Sequence, residues 1–249
     1  MDKIGLQLYT VRESLETAQN IKNTLNTVKN AGYDEVQLYG NLDFIYEVGI
    51  AAQEIGLDIL GTTGSFDEFT ENPQKTIEVH KMLGMEEIGI SGPDFASVAE
   101  VSEFIKKANK FADFAYENEL KFSYHNHSHE FKRYENGKTA FDMLTEGLNQ
   151  NTTYFVLDTY WVQHGGGDVR YWIEKLNNRI NIIHLKDMKR RLEQPEFAEI
   201  GKGNLYWHGI IEQAEKSGIK HYVVEQDYSE HPIESIKISS EYLHRNFFK

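Results

Sequence analysis

The chain has no cysteine, four prolines in 249 residues, and no apolar run near the roughly 20 residues that cross a bilayer. The first absence excludes a disulfide framework and thiolate metal ligands. The second leaves nothing from which to build a proline-rich linker, and the third excludes a helical membrane span. Basic residues are also outnumbered: 26 Lys and Arg stand against 39 Asp and Glu, a formal charge of −13 that repels nucleic-acid backbone and anionic lipid over most of the surface. The amino-terminal MDKIGLQLYTVR carries no basic patch, apolar block or small-residue cleavage site of a signal peptide. The expected partner is a small molecule, with no nucleic acid and no membrane, the expected location is cytoplasmic, and a homo-oligomer stays open. Apolar residues, at 40%, suffice for one large core.

Short β-rich runs alternate with longer segments of helical period. The candidate strands are 4–9, 35–38, 58–62, 87–90, 121–127, 154–158, 180–186 and 221–225. Between them lie segments such as 97–119, where Val98, Val101, Ile105, Ala108, Ala112 and Ala115 recur near the helical period. Gly32, Gly56, Gly84 and Gly218 each stand just before a strand, where a left-handed helix cap is needed. The longest irregular stretch is 188–206. Eight βα units in a chain of this length predict an α/β protein, a (β/α)8 TIM barrel with 1–249 as a single domain. An open doubly wound sheet is the alternative. It is disfavoured because Leu8-Tyr9-Thr10-Val11-Arg12 follows the first strand, where a Gly-rich phosphate loop belongs.

In a barrel the site lies at the carboxyl ends of the strands. The fifth ends in YHNH, the sixth in FVLD, the seventh in IIHLK and the eighth in VVEQD. Residues two apart on a strand face the same way, so His125 and His127 share a face while Asn126 takes the other. With that face turned inward, His125, Asp158, His184 and Glu225 converge on one mouth. Imidazole mixed with carboxylate suits a borderline divalent ion such as Mn²⁺, Co²⁺ or Zn²⁺, with positions left for substrate oxygens. Each residue has a plainer reading. Asp158 before Thr159 can cap a helix, His184 can be a satisfied barrel histidine, and Glu225 can pair with Lys186. The convergence of all four favours the metal. His129 lies past the strand and reads as a solvated loop residue.

At these strand ends the chain resembles a known family. YHNHxxEF (Tyr124 to Phe131), LDTYW with a following GG (Leu157 to Trp161, Gly165, Gly166), HLKD (His184 to Asp187), IGKG (Ile200 to Gly203), VEQD (Val224 to Asp227) and the opening GLQLYTVR (Gly5 to Arg12) are similar to the xylose isomerase-like TIM barrels of the sugar phosphate isomerase/epimerase family. The resemblance spans essentially the whole chain. It implies a divalent metal (Mn, Co, Zn or Mg) held by one residue from each of strands five to eight, and Asp158, His184 and Glu225 match the last three positions. In the ketose 3-epimerase branch the fifth-strand position is a glutamate that also carries a proton. Here His125 or His127 stands there, and the nearest carboxylate, Glu130, lies beyond the strand. The third strand reads ILGTTGS (Ile59 to Ser65), where many relatives place a histidine.

The implied chemistry is isomerisation or epimerisation of a sugar or keto-sugar through an enediolate. A lyase or dehydratase acting on a keto-sugar or inosose, or a non-catalytic carbohydrate-binding barrel, is the alternative. With His125 as ligand, His127 is the candidate base; the reverse assignment stays open. Glu225 and Lys186 complete the candidate catalytic set, with an ion pair as the plainer reading of Lys186. Tyr9, Arg12, Gln37, Glu130 and Trp161 are candidate substrate contacts, Trp161 because an aromatic face packs on a sugar ring. A DNA endonuclease, which also occurs in this superfamily, needs further metal ligands and a basic surface, and the charge argues against it. Gly201-Lys202-Gly203 follows strand seven, where barrels often bind phosphate, but no Gly-rich turn follows strand eight, so the expected substrate is unphosphorylated.

Overall fold

A computed structural model describes residues 3–248. Strands β1 (Gly5–Gln7), β2 (Glu35–Tyr39), β3 (Asp58–Thr63), β4 (Glu87–Ser91), β5 (Lys121–His125), β6 (Thr153–Asp158) and β7 (Ile180–Leu185) are followed by a hairpin, β8 (Asp187–Arg191) and β9 (Gln194–Ala198), and then by β10 (His221–Val224). All strands but the hairpin pair close one parallel barrel, with β10 between β7 and β1. The fold is thus the (β/α)8 barrel that the alternation of elements predicts. The helix over 97–119 forms as Val98–Glu117, capped by Ser97, whose side chain accepts from Glu100 N. Gly32, Gly56, Gly84 and Gly218 have φ of 92°, 77°, 65° and 71°, the left-handed turn that ends a helix before the next strand. Among the described residues no helix is long and apolar enough to cross a membrane.

Three local features differ from the sequence reading. The first strand ends at Gln7, because the Gln7 side chain accepts from Tyr9 N and starts a 3-10 turn over Leu8–Ser14. The fifth ends at His125, because His127 N turns to donate to Glu130 Oε2 and the chain enters a second 3-10 turn, His129–Phe131. The stretch expected to be irregular begins with the antiparallel hairpin.

Most of the apolar core lies between the strands and the surrounding helices. Inside the barrel the apolar filling is small: Val156, Ile182 and Val223 pack with the partly buried Leu60. Below this layer is a polar floor, where Glu35 meets His221 at 3.1 Å and Asn181 bridges Lys121 and Glu87. Above it is the candidate site. Because the apolar plug is thin, polar side chains can fill the top of the barrel while the outer core supplies most of the burial energy.

Candidate functional site

His125, Asp158, His184 and Glu225 rise from four neighbouring strand ends, all buried, and their ligand atoms lie within 4.8 Å of one another. His125 Nε2 is 3.5 Å from Asp158 Oδ2 and 4.0 Å from Glu225 Oε2; His184 Nδ1 is 2.9 Å from Glu225 Oε2 and 3.9 Å from Asp158 Oδ2. Asp158 also fulfils its plainer reading. Its Oδ1 accepts from Trp161 N at 2.9 Å, capping helix Thr159–His164, while Oδ2 faces the cluster. The cap fixes the carboxylate that the site uses, and Asn126, on the opposite face of the chain, accepts from Asp158 N at 3.0 Å.

Lys186, fully buried, has Nζ 3.1 Å from Glu225 Oε2 and 3.3 Å from Asp158 Oδ2, and it also pairs with Asp227. Burial alone would lower its pKa, but the three carboxylates outweigh burial and raise it, so it stays cationic. Its ammonium is therefore taken up in ion pairs. Burial acts to raise Asp158 and Glu225, yet Lys186 and the histidines pull both below the usual carboxylate range. Burial and the neighbouring Glu225 push Asp227 up to about 6. Three carboxylates against one ammonium leave the cluster short of positive charge, and the raised pKa of His125 has the same origin: Asp158 and Glu225 outweigh its burial.

The donor set fits a divalent ion. His184 Nε2 lies 2.6 Å from Gln37 Oε1, an acceptor, so Nε2 carries a proton, and Nδ1, 2.9 Å from Glu225 Oε2, shares with that carboxylate either a proton or, in its place, an ion. Burial lowers the pKa of His184, which disfavours a second proton. A nitrogen lone pair and carboxylate oxygens facing one point form a cation site.

Above the cluster opens a cavity of about 500 Å³, within the size range of small-molecule sites. Tyr9, Tyr39 and Trp161 form its aromatic wall, Glu68, Glu225 and Asp227 contribute carboxylates, and among the described residues no lysine or arginine lines it. His127 lines the cavity beside His125, with ring centroids 4.8 Å apart. Burial, then His125 and Lys186, push its pKa down to about 3, so it stands neutral. Its Nδ1 and the Trp161 Nε1 are buried without a hydrogen-bond partner among the described residues.

Other sequence candidates are placed differently. Gln37 is fully buried and does not line the cavity; it holds His184. Glu130, also buried, accepts from Tyr124 Oη and His127 N, both at 2.9 Å, and so shapes the loop after β5. Arg12 stacks on Tyr9, 4.2 Å from the ring centroid, and donates to Asp227 O at 2.8 Å, holding the loop after β10. In Gln37 and Glu130 the polar atoms that suggested substrate contact are spent on protein partners, and in Arg12 one guanidinium nitrogen is. His129 is only partly exposed: it stacks on His127 at 5.5 Å and its Nε2 lies 3.2 Å from Pro93 O. Sequence reasoning missed Gln7 and Asp227 on the cavity wall, although the period-two rule that joins His125 to His127 also joins Glu225 to Asp227.

The HLKD and IGKG motifs meet at Asp187. Its buried carboxylate accepts from Met188 N (2.8 Å), Gly201 N (2.9 Å), Gly203 N (3.1 Å), Leu205 N (3.2 Å) and Trp207 Nε1 (2.7 Å). Gly203 must be glycine for this approach, since a Cβ there would lie 2.2 Å from Asp187 Oδ1. The amides that a phosphate would need are occupied by a side chain of the protein itself.

The sequence model of the xylose isomerase-like TIM barrel matches residues 25–245. The chain belongs to this family. No curated protein matches its sequence. Among solved structures, a sugar phosphate isomerase/epimerase from Parabacteroides distasonis ATCC 8503 superposes with TM-score 0.84 at 22% identity, over 99% of this chain and 95% of that one. A D-allulose 3-epimerase from Methylomonas sp. in complex with D-allulose gives 0.76 at 13% identity, over 99% and 97%. A probable 3-DHS dehydratase involved in petrobactin synthesis from Bacillus anthracis gives 0.76 at 12% identity, over 98% and 99%. At these identities the likeness is one of fold, and the fold hosts both epimerases and a dehydratase.

Proposed function

We propose that this barrel is a divalent-metal-dependent enzyme that isomerises or epimerises an unphosphorylated sugar or keto-sugar through an enediolate. The observation that carries the reading is the buried His125, Asp158, His184 and Glu225 cluster at the base of a cavity with an aromatic wall. A bound ion would supply Lewis-acid polarisation of a carbonyl and a neighbouring hydroxyl, which acidifies the C–H between them. The side chains do the rest. His125 Nε2, an Asp158 oxygen, His184 Nδ1 and a Glu225 oxygen would hold the ion. Lys186 keeps Asp158, Glu225 and Asp227 ionised and in place. Neutral His127 on the cavity wall is the proton acceptor, a weak base at a pKa of about 3, with Glu225 as the second proton carrier, and Tyr9 and Trp161 take the apolar faces of the sugar.

Two features support an unphosphorylated substrate: Asp187 fills the amide nest after β7, and the cavity wall holds carboxylates without a lysine or arginine among the described residues. The second reading is elimination by a lyase or dehydratase from the same enolate. It is favoured by β5, which brings imidazoles and no carboxylate to the cavity wall. Both are tested together. Protein purified without chelator should hold about one divalent ion per chain, lost in His184→Ala and Glu225→Ala. In D₂O it should exchange the C–H beside the carbonyl of its substrate. Equal metal in wild type and both variants, or turnover without exchange of that hydrogen, refutes the proposal.

A further inference from the structure

The two buried glutamines of β1 and β2 form a relay that ends on His184. Gln7 Oε1 accepts from Tyr9 N at 3.2 Å, so its oxygen end is fixed by a backbone donor. Its amide nitrogen therefore faces inward and donates to Gln37 Oε1 at 2.9 Å and Thr63 Oγ1 at 3.1 Å. Gln37 is fixed in turn, because its amide nitrogen donates to the Thr62 carbonyl at 3.2 Å, a partner that only accepts. Its Oε1 is thereby turned to His184 Nε2 at 2.6 Å, and with Gln7 and His184 both of its lone pairs are used. Neither amide can flip without setting oxygen against a carbonyl or nitrogen against an N–H.

We infer that Gln37, oriented by Gln7, is a positioning residue that sets the tautomer of His184, so that Nδ1 is the nitrogen offered to the ion. The inference rests on the metal reading above. Imidazole can bind a metal through either nitrogen, and the choice is made by the hydrogen bond at the other. A glutamine oxygen does this without adding charge. A carboxylate in its place would deepen the negative charge of a cluster that already sets three carboxylates against one ammonium. The relay also reaches the cavity wall, because the Tyr9 backbone that anchors Gln7 carries a ring lining the cavity.

The test reads the tautomer directly. In protein labelled with ¹⁵N-histidine, His184 should keep Nε2 protonated with and without Zn²⁺, and Nδ1 should be the nitrogen that binds the ion. Gln37→Leu should remove that preference and weaken binding of Zn²⁺ or Co²⁺, measured by competition with a chelating dye, by 10- to 100-fold, the usual scale for such outer partners. Gln37→Glu keeps an acceptor oxygen and should retain the tautomer. If Gln37→Leu does not fold, Gln37→Met decides: it keeps the length of the side chain but offers His184 Nε2 no oxygen, and should give mixed tautomers and weaker metal binding. A bare Nε2 in wild type overturns the inference, as does a leucine or methionine variant with wild-type tautomer and affinity. Correct tautomers in a protein that binds no ion would instead sink the functional reading and leave the relay as structure alone.

Discussion

Acid should weaken this fold through one buried histidine that lies outside the metal cluster. His80, in helix Pro73–Met82, is fully buried, with Nδ1–H donating to Thr76 O at 2.7 Å and Nε2 accepting from Thr62 Oγ1 at 2.9 Å. Burial pushes its pKa down to about 4, with only the Thr76 bond acting the other way. In the unfolded chain a histidine titrates near ~6.5. Between these values the unfolded state binds more protons than the folded one, so stability is full above pH 6.5 and falls as pH drops toward 4. That depression corresponds to about 3 kcal/mol, most of which is gone by pH 4.5. Urea denaturation of wild type and His80→Gln at pH 7.5 and 4.5, both in chelator so that no ion contributes, isolates the effect. The wild type should lose roughly 2–3 kcal/mol more than the variant over that interval. Equal losses would show that His80 is protonated at no cost and that its burial is relieved by water or by motion of the helix.

The histidines of YHNHSHE should separate in kind. His125→Ala should lose metal and activity together, while His127→Ala should keep the ion and lose ~10²-fold or more in kcat. His129→Ala should change neither by much, and a larger effect there than at the other two refutes the assignment. In a screen of sugars against their phosphate esters, kcat/KM should favour the free sugars, and a tenfold or greater advantage for the esters would refute the unphosphorylated substrate. Asp187→Ala should cost roughly 3–5 kcal/mol in urea denaturation, since it strips five donors of one buried acceptor. A loss below about 1 kcal/mol would mean that the loop rearranges to satisfy them.

The barrel strands were legible because strand and helix periods alternate along the chain and glycine marks the returns. The hairpin was not. MKRRLEQPEF is charged and carries a proline, and its turn places Leu192, not glycine or asparagine, at φ 54°. It holds through its exit, where Phe197 packs on Tyr160 with centroids 4.5 Å apart. Convergence of His125, Asp158, His184 and Glu225 followed from topology, because strand-end residues on one face meet whatever the details of packing. The partners of Gln37, Glu130 and Arg12 did not follow. Which acceptor or donor a long side chain finds depends on depth and on residues far away in sequence, such as the 215 positions between Arg12 and Asp227.

The bond between His184 and Gln37 spans 147 positions, and the last barrel strand must insert between β7 and β1 to bring Glu225 alongside. A chain folded only through β6 has Asp158 and His125 but none of the groups that complete their cluster. An ion that binds the completed set stabilises the closed ring and nothing before it. It would act as a latch on the final act of folding: slowing the opening of the β7–β10–β1 seam while leaving the earlier steps at their own pace. The same atoms that set up the chemistry would then also report, through bound metal, that the ring has shut.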